Sequence, residues 1–264
     1  MQMPATRIKK AFILACLTVI LTAGIVFALL YFGILQINNP DKKRFPIRGI
    51  DGSHFQQEIN WQELKSEDVR FVFIKATEGG DYRDPAFSEN WNKSKQAGFV
   101  RGAYHFFTFC RTGKEQAQNF INTVPVEAGK LPPVIDLEFG GNCSARPERE
   151  ILLKELRDFI AEIEGVYNRQ PILYLKYDSY ETYIKGEFEN LHLWIQDRLF
   201  YPELSDKRKW TFWQYSSRGR LDGIETYVDL NVFNGTEQDF NLLIESPDKS
   251  CASSPCNVNA TKRY

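Results

Sequence analysis

Apolar and polar positions follow one pattern over the first forty residues and another over the rest of the chain. No charge occurs from Ala11 to Pro40, and Ala11–Leu35 is almost entirely apolar. As a helix such a run rises about 37 Å, at roughly 1.5 Å per residue. That exceeds a hydrocarbon core of about 30 Å, whereas the apolar part of a cleaved signal peptide runs about 7–15 residues. Residues 1–37 are therefore expected to be an uncleaved membrane anchor, and 38–45 (NNPDKKRF) a short tether. Arg7, Lys9 and Lys10 precede the span and Lys42, Lys43 and Arg44 follow it, so the positive-inside rule is nearly tied. A single N-terminal anchor with its domain on the exported, periplasmic side is the expected arrangement.

After the tether, short runs rich in Val, Ile, Phe, Tyr and Trp alternate with amphipathic stretches. The spacing predicts strands at Pro46–Ser53, Arg70–Glu78, Val100–Thr108, Pro133–Phe139, Pro171–Tyr177, His192–Asp197, Trp210–Ser216 and Thr226–Phe233. Helices are predicted at Pro85–Gly98, Thr112–Thr123 and Arg149–Tyr167, the last with Leu152, Leu153, Leu156, Phe159, Ile160 and Ile163 on one face. Strands that alternate with helices pair in parallel. Eight of them over residues 46–244 predict an α/β fold, a compact, irregular (β/α)8-like TIM barrel preceded by one transmembrane helix. Helices weaken in the last third, so some are expected to be short or missing. Residues 245–264 form a polar tail.

Charge and cysteine content narrow the function. The formal net charge is -1, and all the charges of the anchor are basic, so the rest is more acidic still and lacks the basic footprint of a nucleic-acid binder. Cys16 lies in the span, leaving Cys110, Cys143, Cys251 and Cys256, an even set that in an exported domain suggests two disulfides. Cys110 follows the third strand and Cys143 the fourth. Adjacent parallel strands lie about 4.8 Å apart, so Cys110–Cys143 and Cys251–Cys256 are the expected pairs. With three His and no paired CxxC units, neither zinc nor any cofactor is expected. No GxSxG, Walker, HExxH or GxGxxG pattern occurs.

Acidic residues collect at the predicted strand ends. Asp51 ends the first strand, Asp136 and Glu138 close the fourth, and Asp229 lies on the eighth. In a parallel barrel the C-terminal strand ends share one face, where active sites sit. Asp136 and Glu138, two apart, point the same way. Close carboxyls repel, which raises the proton affinity of one and supplies the acid and the negative stabiliser of glycosidic cleavage. Tyr104, Tyr174, Trp194 and Gln214 are expected to line the same mouth. Glu78 is balanced between a site role and pairing with Lys75 or Arg83. His105, flanked by Tyr104, Phe106 and Phe107, is expected to be a satisfied core histidine.

Seven blocks now stand in order: RGIDGSHFQ, FVFIKATEG, GAYHFF, PPVIDLEF, LWIQ, WQYSS and VDLNVFNG. Over residues 47–244 the chain resembles the family-25 glycoside hydrolases, the Chalaropsis-type lysozymes or N-acetylmuramidases. That resemblance implies cleavage of the β-1,4 bond between N-acetylmuramic acid and N-acetylglucosamine in peptidoglycan. It implies that Glu138 is the general acid and that Asp136 steadies the 2-acetamido group or the developing charge. Asp51, Asp229 and Tyr104 match the family's binding residues, and no metal or cofactor is implied. LWIQDR departs from the family pattern, which carries a small residue and an aromatic one after LW. The alternatives are a silent peptidoglycan-binding scaffold and a hydrolase of another N-acetylated glycan such as chitin. The chain is expected to act as a monomer.

Overall fold

The computed structural model describes residues 5–141 and 143–245. Helix α1 (Ala5–Tyr31) contains a span, Lys9–Tyr31, with mean hydropathy 2.8 and none of it buried. It is long and apolar enough to cross a membrane. The Cys251–Cys256 pairing and nearly all of the polar tail lie outside the described residues.

The domain is a closed eight-stranded barrel. Seven strands run parallel: β1 (Arg48–Gly52), β2 (Phe71–Glu78), β4 (Val100–Phe106), β5 (Val134–Leu137), β6 (Ile172–Leu175), β7 (His192–Gln196) and β8 (Phe212–Gly219). The two-residue strand β3 (Tyr82–Arg83) folds back on β2. Strand β9 (Val228–Phe233) closes the ring between β8 and β1 and is antiparallel to both. All eight expected strands are present, but the expectation of a wholly parallel ring is corrected at β9. A parallel connection needs a crossover of a dozen or more residues. Residues 220–227 are too few for that, so the chain hairpins back.

Helices α2 (Phe87–Gln96), α3 (Gly113–Ile121) and α4 (Arg149–Tyr167) fall where the periodicity puts them. Thr112 caps α3 by accepting from the Glu115 amide. After β6 there is only one turn, α5 (Tyr177–Ser179), running on into a π-helical turn at Tyr180–Ile184. No helix joins β7 to β8 or β8 to β9. Helix α6 (Glu237–Ile244) was not foreseen, although Thr236 and Asp239 form a capping box at its start.

Two apolar layers follow from strand alternation. One lies between barrel and helices and takes in Val72, Ile74, Ile135, Leu137, Leu173 and Leu175 with the inner faces of α2, α3 and α4. The other fills the lower barrel with Phe71, Phe73, Trp194, Phe212 and Phe233, closed from below by Phe240 and Leu243 of α6. Gly49 and Gly102 make room for it. A Cβ at Gly49 would lie 2.4 Å from the Phe71 ring, and one at Gly102 2.5 Å from the Phe73 ring. His105 points outward and is fully buried between Thr77 Oγ1 (2.7 Å) and Gln116 Oε1 (3.2 Å). Burial lowers its pKa to about 3, so it is the neutral core histidine expected. Cys110 and Cys143 are joined, Cα to Cα 5.9 Å, across the loops that leave β4 and β5.

Helices α3 and α4 meet at Gly113, where an added Cβ would lie 1.8 Å from the carbonyl oxygen of Glu155. Gly113→Ala is expected to cost about 1–3 kcal/mol through forced separation of the two helices. An unchanged urea midpoint would refute that reading of the contact.

Candidate active site

One step up each strand from the aromatic plug, the inward positions become polar. Phe73 is followed by Lys75, Val134 by Asp136 and Glu138, Ile172 by Tyr174 and Lys176, and Phe212 by Gln214. Asp51, Tyr104 and Asp229 complete a ring at the mouth. Every site residue expected from sequence — Asp51, Tyr104, Asp136, Glu138, Tyr174, Trp194, Gln214 and Asp229 — lines the same cavity of about 310 Å³. Asp229 gets there only because β9 runs backwards: as the second residue of an antiparallel strand it stands at the end where the other strands finish.

Asp51 and Asp229 are direct cross-strand partners. Like charges in that position repel, and their proximity favours the protonated form of one of the two. Asp51 Oδ2 also accepts from Gln214 Nε2 (2.8 Å) and Asn231 Nδ2 (2.7 Å). Those amides are held in turn. Trp194 Nε1 donates to Asn231 Oδ1 (2.9 Å), Tyr174 Oη donates to Gln214 Oε1 (3.0 Å), and Gln196 Nε2 reaches both Tyr174 Oη and Gln214 Oε1. Burial raises Asp51 from the ordinary 3.8 to about 6 despite these donors. Burial, with the nearby charge of Asp51, raises Asp229 well above the carboxylate range.

Asp136 and Glu138 differ in surroundings although they share a face. Asp136 is buried, and its Oδ1 has no hydrogen-bond partner among the described residues. Burial first, then the Glu138 charge, raises its pKa well above the usual range, against the opposing pull of Lys75 and Lys176. Glu138 Oε2 is 2.5 Å from Lys176 Nζ at the cavity wall. The arrangement offers a buried carboxyl with raised proton affinity beside a second, lysine-paired carboxylate, and a carboxyl pair of that kind is the chemical requirement for acid-assisted cleavage of an acetal.

Tyr174 and Trp194 form the floor, and Trp194 stacks on Phe73 with centroids 4.6 Å apart. Neither presents an open face. The exposed aromatic at the rim is Phe55, 70% accessible, which sequence reasoning passed over. Lys75, Lys176 and Asn231 were also missed. The strand rule would have found two of them, since Lys176 stands two after Tyr174 and Asn231 two after Asp229. Lys75 is a nearly buried lysine inside an apolar strand, itself an unusual placement. It pairs with Glu78 at 2.7 Å, which resolves the balance at Glu78 toward pairing with Lys75.

The family described as "Glycosyl hydrolases family 25" matches residues 50–224. A solved family-25 glycosyl hydrolase from Bacillus anthracis is 44% identical, with a TM-score of 0.74 over 78% of this chain and 95% of that one. Lysozyme M1 of Streptomyces globisporus is 34% identical over 202 residues, 72% of this chain and 68% of its own. The uncharacterized protein YegX of Escherichia coli K12 is 37% identical over 206 residues, 76% and 74% of the two chains.

Folding raises the Asp51 pKa, so the folded state binds that proton more tightly than the unfolded chain does. The stability this confers is complete below about 3.8 and is lost as pH rises through about 6. Asp51→Asn, which cannot ionise, is expected to exceed the parent in stability at pH 8 by on the order of 2–3 kcal/mol, with little gain at pH 3.5. Urea denaturation at both pH values measures this, and equal differences at the two would contradict it.

Proposed function

We propose, from the premise that this chain belongs to glycosyl hydrolases family 25 and is a glycosidase, that it cleaves the β-1,4 bond between N-acetylmuramic acid and N-acetylglucosamine in peptidoglycan. The observation that carries this is the placement of Asp136 and Glu138 on one face at the rim of a cleft that also holds Asp51 and Asp229. The likeness to lysozyme M1 supports the choice of substrate.

In this reading Glu138 protonates the leaving oxygen. Asp136, whose Oδ1 lacks a partner among the described residues, receives the 2-acetamido group or offsets the charge that develops at the anomeric carbon. Asp51 and Asp229 accept sugar hydroxyls from the opposite wall, and Phe55 supplies an apolar face for a sugar ring at the rim. The N-terminal helix anchors a monomeric enzyme with its barrel on the exported side. Tethering raises the local concentration of enzyme at the wall without a separate binding module.

A second assignment has its own observation. Glu138 is already paired with Lys176, while burial favours the protonated form of Asp136. These facts favour Asp136 as proton donor and Glu138 as the negative group.

Mass spectrometry of fragments released from purified peptidoglycan is expected to show N-acetylmuramic acid at the reducing end. N-acetylglucosamine there, or no release, would refute the proposal. Glu138→Gln is expected to lower turnover by roughly 10²–10⁴-fold with an unchanged thermal transition. If Glu138 is the acid, that variant regains activity on an aryl glycoside whose phenol leaves without protonation. If the roles are exchanged, the rescue belongs to Asp136→Asn.

A further inference from the structure

The membrane helix does not end in a free tether. Its last carbonyls are capped by the barrel: Arg218 Nη1 donates to Tyr31 O (2.7 Å) and Arg220 Nε to Phe32 O (2.6 Å). These are the orphan carbonyls of a helix C-terminus, where a cation is favourable. Gly33 follows with φ +65°, and a Cβ there would sit 2.3 Å from Arg218 O, so only glycine allows the approach. Gln36 then donates to Arg218 O (2.9 Å) and accepts from Ser216 Oγ.

These barrel contacts lie on the last residues of β8, a strand that finishes at the mouth, and on Arg220 just past its end. Ser217 lines both the active-site cleft and a second pocket, of about 440 Å³, walled partly by Phe27, Leu30 and Tyr31 of α1. The neighbouring loop after β7 exposes Leu199 (54%), Phe200 (71%) and Tyr201 (44%) beside exposed Arg198. Asn38, seven residues past the helix, donates to Phe200 O.

We infer that the rim formed by Arg198–Tyr201 with Arg218 and Arg220 is a membrane-facing surface, seated in the headgroup layer of an anionic bilayer, so that the catalytic mouth opens beside the membrane. This rests on the reading of α1 as an anchor. With the span ending at Tyr31, the arginines that touch Tyr31 and Phe32 lie within the interfacial layer, roughly 5–8 Å deep on each side, and Arg198 and Leu199 share a pocket with Tyr31 and Arg218. Aromatic side chains and arginines are the residues that layer favours: the rings straddle its polarity gradient and the guanidinium groups meet lipid phosphates. The glycan such an enzyme reaches is the glycan lying closest to the membrane, with the outer face of the wall turned away from the cleft.

The test uses the full chain in nanodiscs of phosphatidylethanolamine and phosphatidylglycerol, with the photocrosslinker p-benzoylphenylalanine at position 200. The control carries it at position 126, because Val126 is also well exposed, in the loop that enters β5 from the opposite end. Thermal transitions confirm that both variants fold. Lipid adducts at position 200 are expected to exceed those at 126 by at least roughly tenfold. Equal adducts, or none at 200 in protein that co-floats with lipid, overturn the proposal and leave the anchor intact. Protein that fails to float overturns the anchor and the proposal together.

Discussion

The barrel interior changes from aromatic to acidic within a single layer, and the rest of the molecule depends on that boundary. Below it, Phe71, Phe73, Trp194, Phe212 and Phe233 exclude water from the ring. Above it, Asp51, Asp136 and Asp229 lose hydration because the layer beneath is dry. Burying carboxylates is unfavourable unless donors or counter-charges replace the lost water. The fold supplies two kinds of compensation. Neutral amides of Gln214 and Asn231 hold Asp51, and lysines at 75 and 176 hold Glu78 and Glu138. Asp136 Oδ1 receives neither among the described residues. A buried carboxylate oxygen left without a donor is a group that a bound ligand can complete.

Closure of the ring by a reversed strand has a chemical consequence. An eighth parallel strand carrying VDLNVF would have put the aspartate at the floor end and the phenylalanine near the mouth. Reversal places Asp229 opposite Asp51 and drops Phe233 into the plug. The same short turn that forbids a crossover helix leaves the end of β8 uncovered. That uncovered end is where residues 31–36 dock. Site chemistry and the placement of the N-terminal helix thus follow from one missing helix.

Much of this was legible in the residues. Eight strands and three helices were readable because burial on one face imposes periods of 2 and 3.6 on apolar side chains. The Asp136–Glu138 pair was readable because alternation alone sets both on one face. The Cys110–Cys143 bridge was readable because adjacent strands must bring their following loops together. Helix α6 escaped because it is short and only Phe240 and Leu243 of it are buried. The lysines escaped because a charge on a strand carries no sign of its partner until the neighbouring strand is placed.

By itself, the sequence determined the class of fold, the long apolar helix at the N-terminus and which acids share a barrel end, since each depends only on local periodicity and chain order. The tertiary structure decided the direction of the closing strand, the pairing of Asp51 with Asp229, the pairing of Glu138 with Lys176, and the side of the barrel that meets the N-terminal helix. Those are contacts between segments distant in the chain. Their energies depend on separation and burial, which no stretch of residues encodes until the ring has closed.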